Sequence, residues 1–121
     1  MLTEEFAQRF ADQWIAAWNR HDLVSILSHY SDDFEFSSPL IARLTGDGGG
    51  RLTGKQAIGE YWQRGLASYP DLNFQLTEVL VGASSLVIVY QSVNNLQAAE
   101  WFEFDQDGLV TRASAHYSGL S

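Results

Sequence analysis

The sequence predicts a single α+β domain in which helices gather on one face of an antiparallel sheet. Apolar residues recur at helical spacing through the first half of the chain, and they alternate with polar residues from Leu72 onward. Helices mixed with one short strand therefore precede a meander of strands. The length of 121 residues fits one domain, which we place at residues 1–121.

The first predicted helix is "TEEFAQRFADQWIAAWN". Thr3 is placed to cap it, and two acids follow in the first turn, where the helix dipole favours them. Phe6, Phe10, Trp14 and Trp18 recur every four residues, which predicts a broad aromatic face. Core packing explains such a face, but an indole N–H often lies beside a polar group or a ligand, so Trp14 is also a site candidate.

Two further helices are predicted before the meander. "RHDLVSILSHYSDDF" predicts a helix capped by Asp22, and "FEFSSP" predicts a short strand that Pro39 ends. "LTGKQAIGEYWQRGLASYP" predicts a third helix, with Thr53 and Gln56 at the spacing of a capping box. The glycines of residues 46–50 predict a mobile loop, either a plain surface insertion or a segment that swings over a cavity mouth.

The strands "SSLVIVYQSV" and "LQAAEWFEF" flank Asn94 and Asn95, which predicts a two-residue hairpin turn. Such a turn would place Val89 opposite Glu100. The inner face would then carry one carboxyl group among mostly apolar side chains, and its predicted members are Val87, Val89, Gln91, Ala98, Glu100 and Phe102.

The opposite, outer face of these strands would expose Ile88, Tyr90 and Trp101 to water. A large exposed apolar patch usually marks association. We therefore predict a homodimer packed through the outer face of the sheet.

Composition disfavours several classes of function. The net charge of −8, from 15 acids against 7 bases, disfavours nucleic acid and an anionic membrane surface as partners. The chain has no cysteine, which excludes disulfides, thiolate zinc sites and a cysteine nucleophile. The histidines, His21, His29 and His116, lack metal-ligand spacing, so we expect no metal and no cofactor. Without a secretory pattern or a membrane-spanning stretch, the expected location is cytoplasmic.

Three segments, "WNRHDLVSILSHYSDDFEFSSP", "LTGKQAIGEYWQRGL" and "EWFEFDQDGLVTRASAHY", resemble the nuclear transport factor 2-like superfamily. Within it, the chain is similar to SnoaL-like proteins, ketosteroid isomerase and polyketide cyclases. The resemblance implies a cone, with three N-terminal helices packed on one face of a curved, mainly antiparallel sheet around an apolar pocket. Dimers through the sheet are common in the superfamily, and the match places His116 on the outer face.

The resemblance to ketosteroid isomerase is partial at the functional positions. Trp14 stands where the isomerase pattern has a tyrosine, and Ser38, before Pro39, stands where it has the aspartate base. Glu100 stands where it has a protonated acid, a role that the isomerase itself illustrates. Steroid isomerisation by that mechanism is therefore not expected. The Asp-Arg-Asp set of related epoxide hydrolases is absent too, because Arg112 is the only base in the late strands.

Glu100 is the candidate catalytic residue. Burial in an apolar cavity would raise its pKa, so that it could donate a hydrogen bond or a proton at neutral pH. The alternative is a structural acid paired with a Trp, Gln or Tyr side chain. The predicted substrate-binding wall is Trp14, Trp18, Tyr30, Phe36, Ser38, Tyr61, Trp62, Leu66, Val87, Val89, Gln91, Phe102 and Tyr117.

Two functions fit this wall. One is an isomerase, cyclase or dehydratase that acts on a small hydrophobic carbonyl compound through Glu100. The other is a non-catalytic module that binds a ligand or dimerises. A packed core would predict many of the same residues, and a cavity of a few hundred Å³ would distinguish a binding site from a filled core.

Overall fold

A computed structural model describes residues 2–45 and 49–120 of the chain. Residues 46–48, the first three of the predicted glycine loop, lie outside the described residues, so that prediction stays open. In the described ranges, no helix combines the length and apolar content needed to cross a bilayer. The helices are α1 (Glu4–Asn19), α2 (Leu23–Leu27), α3 (Pro39–Thr45) and α4 (Lys55–Ser68), and the strands are β1 (Tyr30–Ser37), β2 (Arg51–Thr53), β3 (Gln75–Val81), β4 (Ser85–Gln91), β5 (Gln97–Phe104) and β6 (Val110–Tyr117).

The strands form one six-stranded sheet in the order β2-β1-β6-β5-β4-β3. Strands β3 to β6 pair antiparallel in sequence order, which confirms the predicted meander. Strand β1 pairs parallel to β6, and β2 pairs antiparallel to β1. The α+β class and the mainly antiparallel sheet are thus as predicted.

Aromatic rings join the helices to the inner face of this sheet. The Phe102 ring lies 5.0 Å from Phe10 and 5.4 Å from Trp14, centroid to centroid, in edge-on contacts. On α4, the Trp62 ring makes a similar contact with Phe36, at 5.3 Å. These edge-on arrangements are favourable for aromatic quadrupoles. The helices therefore bury one face of the sheet and leave the other uncovered.

The first two helices begin where the sequence predicts. The Thr3 hydroxyl accepts a hydrogen bond from the Phe6 N–H at 3.1 Å and caps α1. The Asp22 carboxylate accepts from the Ser25 N–H at 3.2 Å and caps α2. However, α2 ends at Leu27 and Tyr30 already begins β1, so the second helix is shorter than its apolar spacing indicated.

The region after β1 holds structure that the sequence reading missed. Pro39 does end the strand, but it also opens helix α3, because proline fits the first position of a helix. The predicted capping box is wrong. Thr53 belongs to β2, where it pairs with Glu35 of β1, and the residue that precedes α4 is Gly54, which provides no side-chain cap. Gly54 has φ of 90°, a conformation that favours glycine.

The predicted hairpin between β4 and β5 is wrong by one residue. The connection spans residues 92–96, and its Asn94 and Asn95 have φ of 57° and 58°, a left-handed region that asparagine tolerates. The last strand pair is Gln91 with Gln97, so Glu100 pairs with Ile88 instead of Val89.

Because side chains alternate along a strand, this shift moves all of β4 to the other face. Val87, Val89 and Gln91 lie on the outer face, contrary to the predicted wall. Ile88 and Tyr90 lie on the inner face, contrary to the predicted dimer surface, and they are 0% and 2% exposed.

The corrected register predicts a contrast between neighbouring residues. Ile88→Ala should lower the free energy of unfolding by about 2–5 kcal/mol, because it leaves a cavity in a filled core. Val89→Ala, on the outer face, should cost about 1 kcal/mol or less. Urea unfolding of both variants measures the difference. A larger loss for Val89→Ala would contradict the register.

Candidate functional site

A cavity of about 280 Å³ lies between the helices and the inner face of the sheet. Half of its lining residues are aromatic, and they come from α1, β1, α3, α4, β4, β5 and β6 and from the segments that connect these elements. The lining residues are Trp14, Trp18, Phe36, Ser38, Leu40, Arg43, Leu44, Tyr61, Trp62, Gly65, Tyr69, Leu72, Phe74, Tyr90, Ser92, Val93, Glu100 and Tyr117.

Glu100 supplies the one carboxyl group among the described lining residues. It lies in the middle of β5, between Ile88 of β4 and Ala115 of β6, and it is 4% exposed. The Tyr90 hydroxyl donates a hydrogen bond to Glu100 Oε1 at 3.1 Å. Burial raises the pKa of Glu100 from its ordinary 4.5 to about 8, and the Tyr90 hydrogen bond opposes the rise in part. Glu100 is therefore a neutral acid at neutral pH.

Three tyrosines of the wall lie close enough to this carboxyl group for its charge to affect their pKa values. Burial raises the pKa of Tyr61 to about 12, and a negative charge on Glu100 adds to the rise. Burial and the same charge raise the pKa values of Tyr90 and Tyr117. These phenols stay protonated at neutral pH and can act as hydrogen-bond donors.

Two of the three tryptophans of the wall, Trp14 and Trp18 on α1, differ in their polar contacts. The Trp14 Nε1–H donates to the Tyr30 hydroxyl at 2.9 Å, so its polar partner is a side chain of the protein. The Trp18 Nε1–H is buried and has no acceptor in the part of the chain that the structure describes. Buried N–H groups are normally paired, so this donor is an exception that a ligand could satisfy.

Helix α3 borders the cavity where it meets solvent. Leu40, Arg43 and Leu44 contribute to the wall, and Leu44 is 72% exposed. The Arg43 guanidinium is also exposed, and its Nη2 donates to the main-chain carbonyl of Leu120. The wall of the cavity therefore contains both a buried acid, Glu100, and an exposed cation, Arg43.

The structure brings most of the predicted site residues together. Those that line the cavity are Glu100, Trp14, Trp18, Phe36, Ser38, Tyr61, Trp62 and Tyr117. Tyr30, Leu66 and Phe102 are buried in the core but do not line it. Val87, Val89 and Gln91 face away, as the register requires.

Sequence reasoning missed Tyr90 and the residues of α3. Tyr90 shares a face of β4 with Ile88, and the predicted hairpin register places both residues on the outer face. The correct register places both on the inner face, beside Glu100. The residues of α3 precede a run of glycines, a pattern that predicts a loop, so the sequence alone does not point to Arg43. Leu72 and Phe74 alternate as predicted, but nothing in the sequence places them beside α1.

The outer face of the sheet carries a second, shallower hollow of about 630 Å³. Trp101 and His116 lie on this face, as predicted. The Arg112 guanidinium lies 5.8 Å from the Trp101 ring and pairs with Glu35 at 3.6 Å and Glu103 at 3.8 Å. In residues 2–45 and 49–120, no group of three His, Cys, Asp or Glu side chains is arranged to hold a metal ion.

The raised pKa of Glu100 predicts how stability varies with pH. Unfolded, the carboxyl group ionises above pH 4.5, whereas folded it keeps its proton to about pH 8. The unfolded state binds fewer protons between these values, so this group destabilises the fold increasingly as pH rises. Glu100→Gln should therefore gain stability over the natural protein between pH 5 and 8, by on the order of 4 kcal/mol at the upper end.

Chemical unfolding at several pH values tests this, with Glu78→Gln as a control for an exposed strand carboxylate. The gain that grows with pH should be larger for Glu100→Gln than for Glu78→Gln, whose side chain is exposed. A gain that does not change with pH in Glu100→Gln would show that Glu100 ionises normally in the folded protein.

Comparison with known proteins identifies the fold and the family. The SnoaL-like domain matches residues 11–113. A SnoaL-like protein of unknown function from Burkholderia thailandensis E264 is 46% identical, with a TM-score of 0.95, and the match covers 98% of this chain and 100% of that one. A comparison with curated proteins gives no significant match.

Two more distant structures show the fold alone. Bal32a, from a soil-derived mobile gene cassette, is 18% identical, with a TM-score of 0.80 and coverage of 96% of this chain and 92% of that one. An NTF2-like protein of unknown function from Cytophaga hutchinsonii ATCC 33406 is 12% identical, with a TM-score of 0.73 and coverage of 98% and 95%. The chain thus has the nuclear transport factor 2-like fold and belongs to the SnoaL-like domain family.

Proposed function

We propose that the protein binds a small, largely apolar carbonyl compound in the 280 Å³ cavity and activates it through Glu100. The observation that carries this proposal is a buried, neutral carboxyl group in an aromatic wall. Such a group is costly to maintain, and strongly perturbed acids in cavities are typical of functional sites.

The hydrogen bond from Tyr90 suggests which oxygen acts. Because the Tyr90 hydroxyl donates to Oε1, the carboxyl proton is left on Oε2 and is available to a ligand. Donation to a carbonyl oxygen would draw electrons from the carbonyl carbon and acidify the neighbouring C–H. Water can then remove that proton, which gives an enol. This is the first step shared by isomerisation, aldol-type cyclisation and dehydration.

A second candidate function is binding without catalysis. Among the described lining residues there is no second carboxyl group and no imidazole, and Ser38 occupies the place of the base in the isomerase pattern. An enzyme of this kind would rely on water as the base. The absence of a protein base favours a module that holds its ligand unchanged.

For the outer face we propose a second copy of this chain as the partner. On this face Arg112 pairs with Glu35 and Glu103, and Arg51 lines the same hollow, so charges of both signs lie together there, whereas the chain as a whole carries −8. Two copies repel each other least where the local charge is balanced. Trp101, only partly exposed beside Arg112, supplies an apolar anchor of the kind that dominates interfaces.

Deuterium exchange separates the two candidate functions. The probe is methyl naphthyl ketone in D₂O, with its methyl protons followed by NMR. If Glu100 activates the carbonyl, the natural protein should speed the exchange by at least about tenfold over buffer, and Glu100→Gln should lose most of this.

The matched control, Glu78→Gln, should exchange the probe as fast as the natural protein. Binding of the ketone without faster exchange would favour the non-catalytic module. Equal rates for Glu100→Gln and the natural protein would remove Glu100 from the proposed chemistry.

Sedimentation analysis tests the proposed dimer. The natural protein should sediment at twice the mass of one chain, and Trp101→Glu should sediment as a monomer, because it buries a charge in the interface. Val24→Glu makes a comparable change at a residue 80% exposed on α2 and should remain dimeric. A monomeric natural protein at micromolar concentration would contradict the proposal.

A further inference from the structure

Few side chains of the cavity wall can carry a full charge. Of the described lining residues, only Glu100 and Arg43 carry ionisable groups that are charged in water at neutral pH. Since burial keeps Glu100 neutral, the Arg43 guanidinium is left as the one full charge of this wall. It is positive, although the chain as a whole carries −8.

The Arg43 guanidinium is held in place by an uncharged partner, and the described residues give it no carboxylate. Its Nη2 donates to the Leu120 carbonyl, which is an uncharged acceptor. No carboxylate forms an ion pair with Arg43 in residues 2–45 and 49–120. A guanidinium has five N–H donors in a planar fork, so donors remain that match a carboxylate.

A second observation also points to a ligand rich in acceptors. The Trp18 side chain lines the cavity and is 7% exposed, yet its Nε1–H has no acceptor in the described part of the chain. Together with Arg43 and the neutral Glu100, it makes the polar groups of the wall mainly donors. A complementary ligand therefore presents acceptors.

The size of the cavity limits the ligand. An apolar cavity of ~150 Å³ holds one benzene ring. The 280 Å³ here is about twice as large, which suits one or two fused rings with short substituents.

We propose that the natural ligand is a one- or two-ring carbonyl compound with a carboxylate at the end away from the carbonyl, and that Arg43 binds this carboxylate at the mouth of the cavity. The inference rests on the proposed function, because it assigns the carbonyl end to Glu100. It adds a substrate class and a specificity-determining residue on α3.

Two pairs of probes test the proposal by isothermal titration calorimetry at neutral pH. The first pair is para-acetylbenzoate and para-acetylbenzamide, which have the same shape and differ by one charge. The second pair, an acetylnaphthoate and its amide, spans a longer distance. In the better-fitting pair, the carboxylate should bind about three- to tenfold more tightly than the amide.

Arg43→Gln should abolish this preference and leave the binding of the amide unchanged. The matched control is Arg64→Gln, which removes the same charge from an exposed site on α4 outside the cavity and should keep the preference. Circular dichroism of both variants verifies that they fold.

Three results would overturn the inference. The natural protein could bind carboxylate and amide equally, the preference for the carboxylate could survive in Arg43→Gln, or Arg64→Gln could remove that preference as fully as Arg43→Gln does. In each case the proposed function stands if Glu100→Gln still weakens binding of the amide. Failure of all four probes to bind would reject the substrate class and the proposed function together.

Discussion

The pairing of Ile88 with Glu100 is the constraint on which both faces of the sheet depend. It places Glu100 and Tyr90 against the helices, where they meet in the cavity, and it places Trp101 on the outer face. A shift by one residue would exchange the faces of β4. The five residues between β4 and β5 set this register, with left-handed asparagines at the bend. The length of this connection therefore determines which side chains of β4 face the cavity.

The site itself follows from burying a carboxyl group among rings. Water is largely excluded from Glu100, and the hydrogen bond that it receives from Tyr90 does not offset the lost solvation, so its pKa rises to about 8. The protein then carries an acid that can donate a proton, at the expense of stability at neutral pH. Arg43, on α3, lines the same cavity and is exposed to solvent. The wall therefore offers a buried acid and an exposed guanidinium, which suits a ligand with two different polar groups.

The sequence was sufficient for the fold class and for placing a carboxyl group on the inner face of β5. Periodicity located α1 and the meander, and the lone acid among apolar residues of β5 identified Glu100. The predicted hairpin was wrong because Asn94 and Asn95 suit several turn types. A shift of one residue in the pairing moves every side chain of β4 to the other face of the sheet. Helix α3 is not predicted from the sequence, because its seven residues precede a run of glycines and local propensity there favours a loop. Arg43 became visible only when the fold brought α3 to the mouth of the cavity.

The ionisation of Glu100 in the folded protein tests the central claim most directly. Carbon-13 NMR of the side-chain carboxyl carbons, titrated from pH 4 to 10, would follow it, with the Glu100 signal assigned by its absence in Glu100→Gln. A buried, neutral acid predicts a midpoint near pH 8. A midpoint near 4.5, the ordinary value for glutamate, would mean that the carboxyl group is hydrated and charged, and the proposed chemistry would then have no acid.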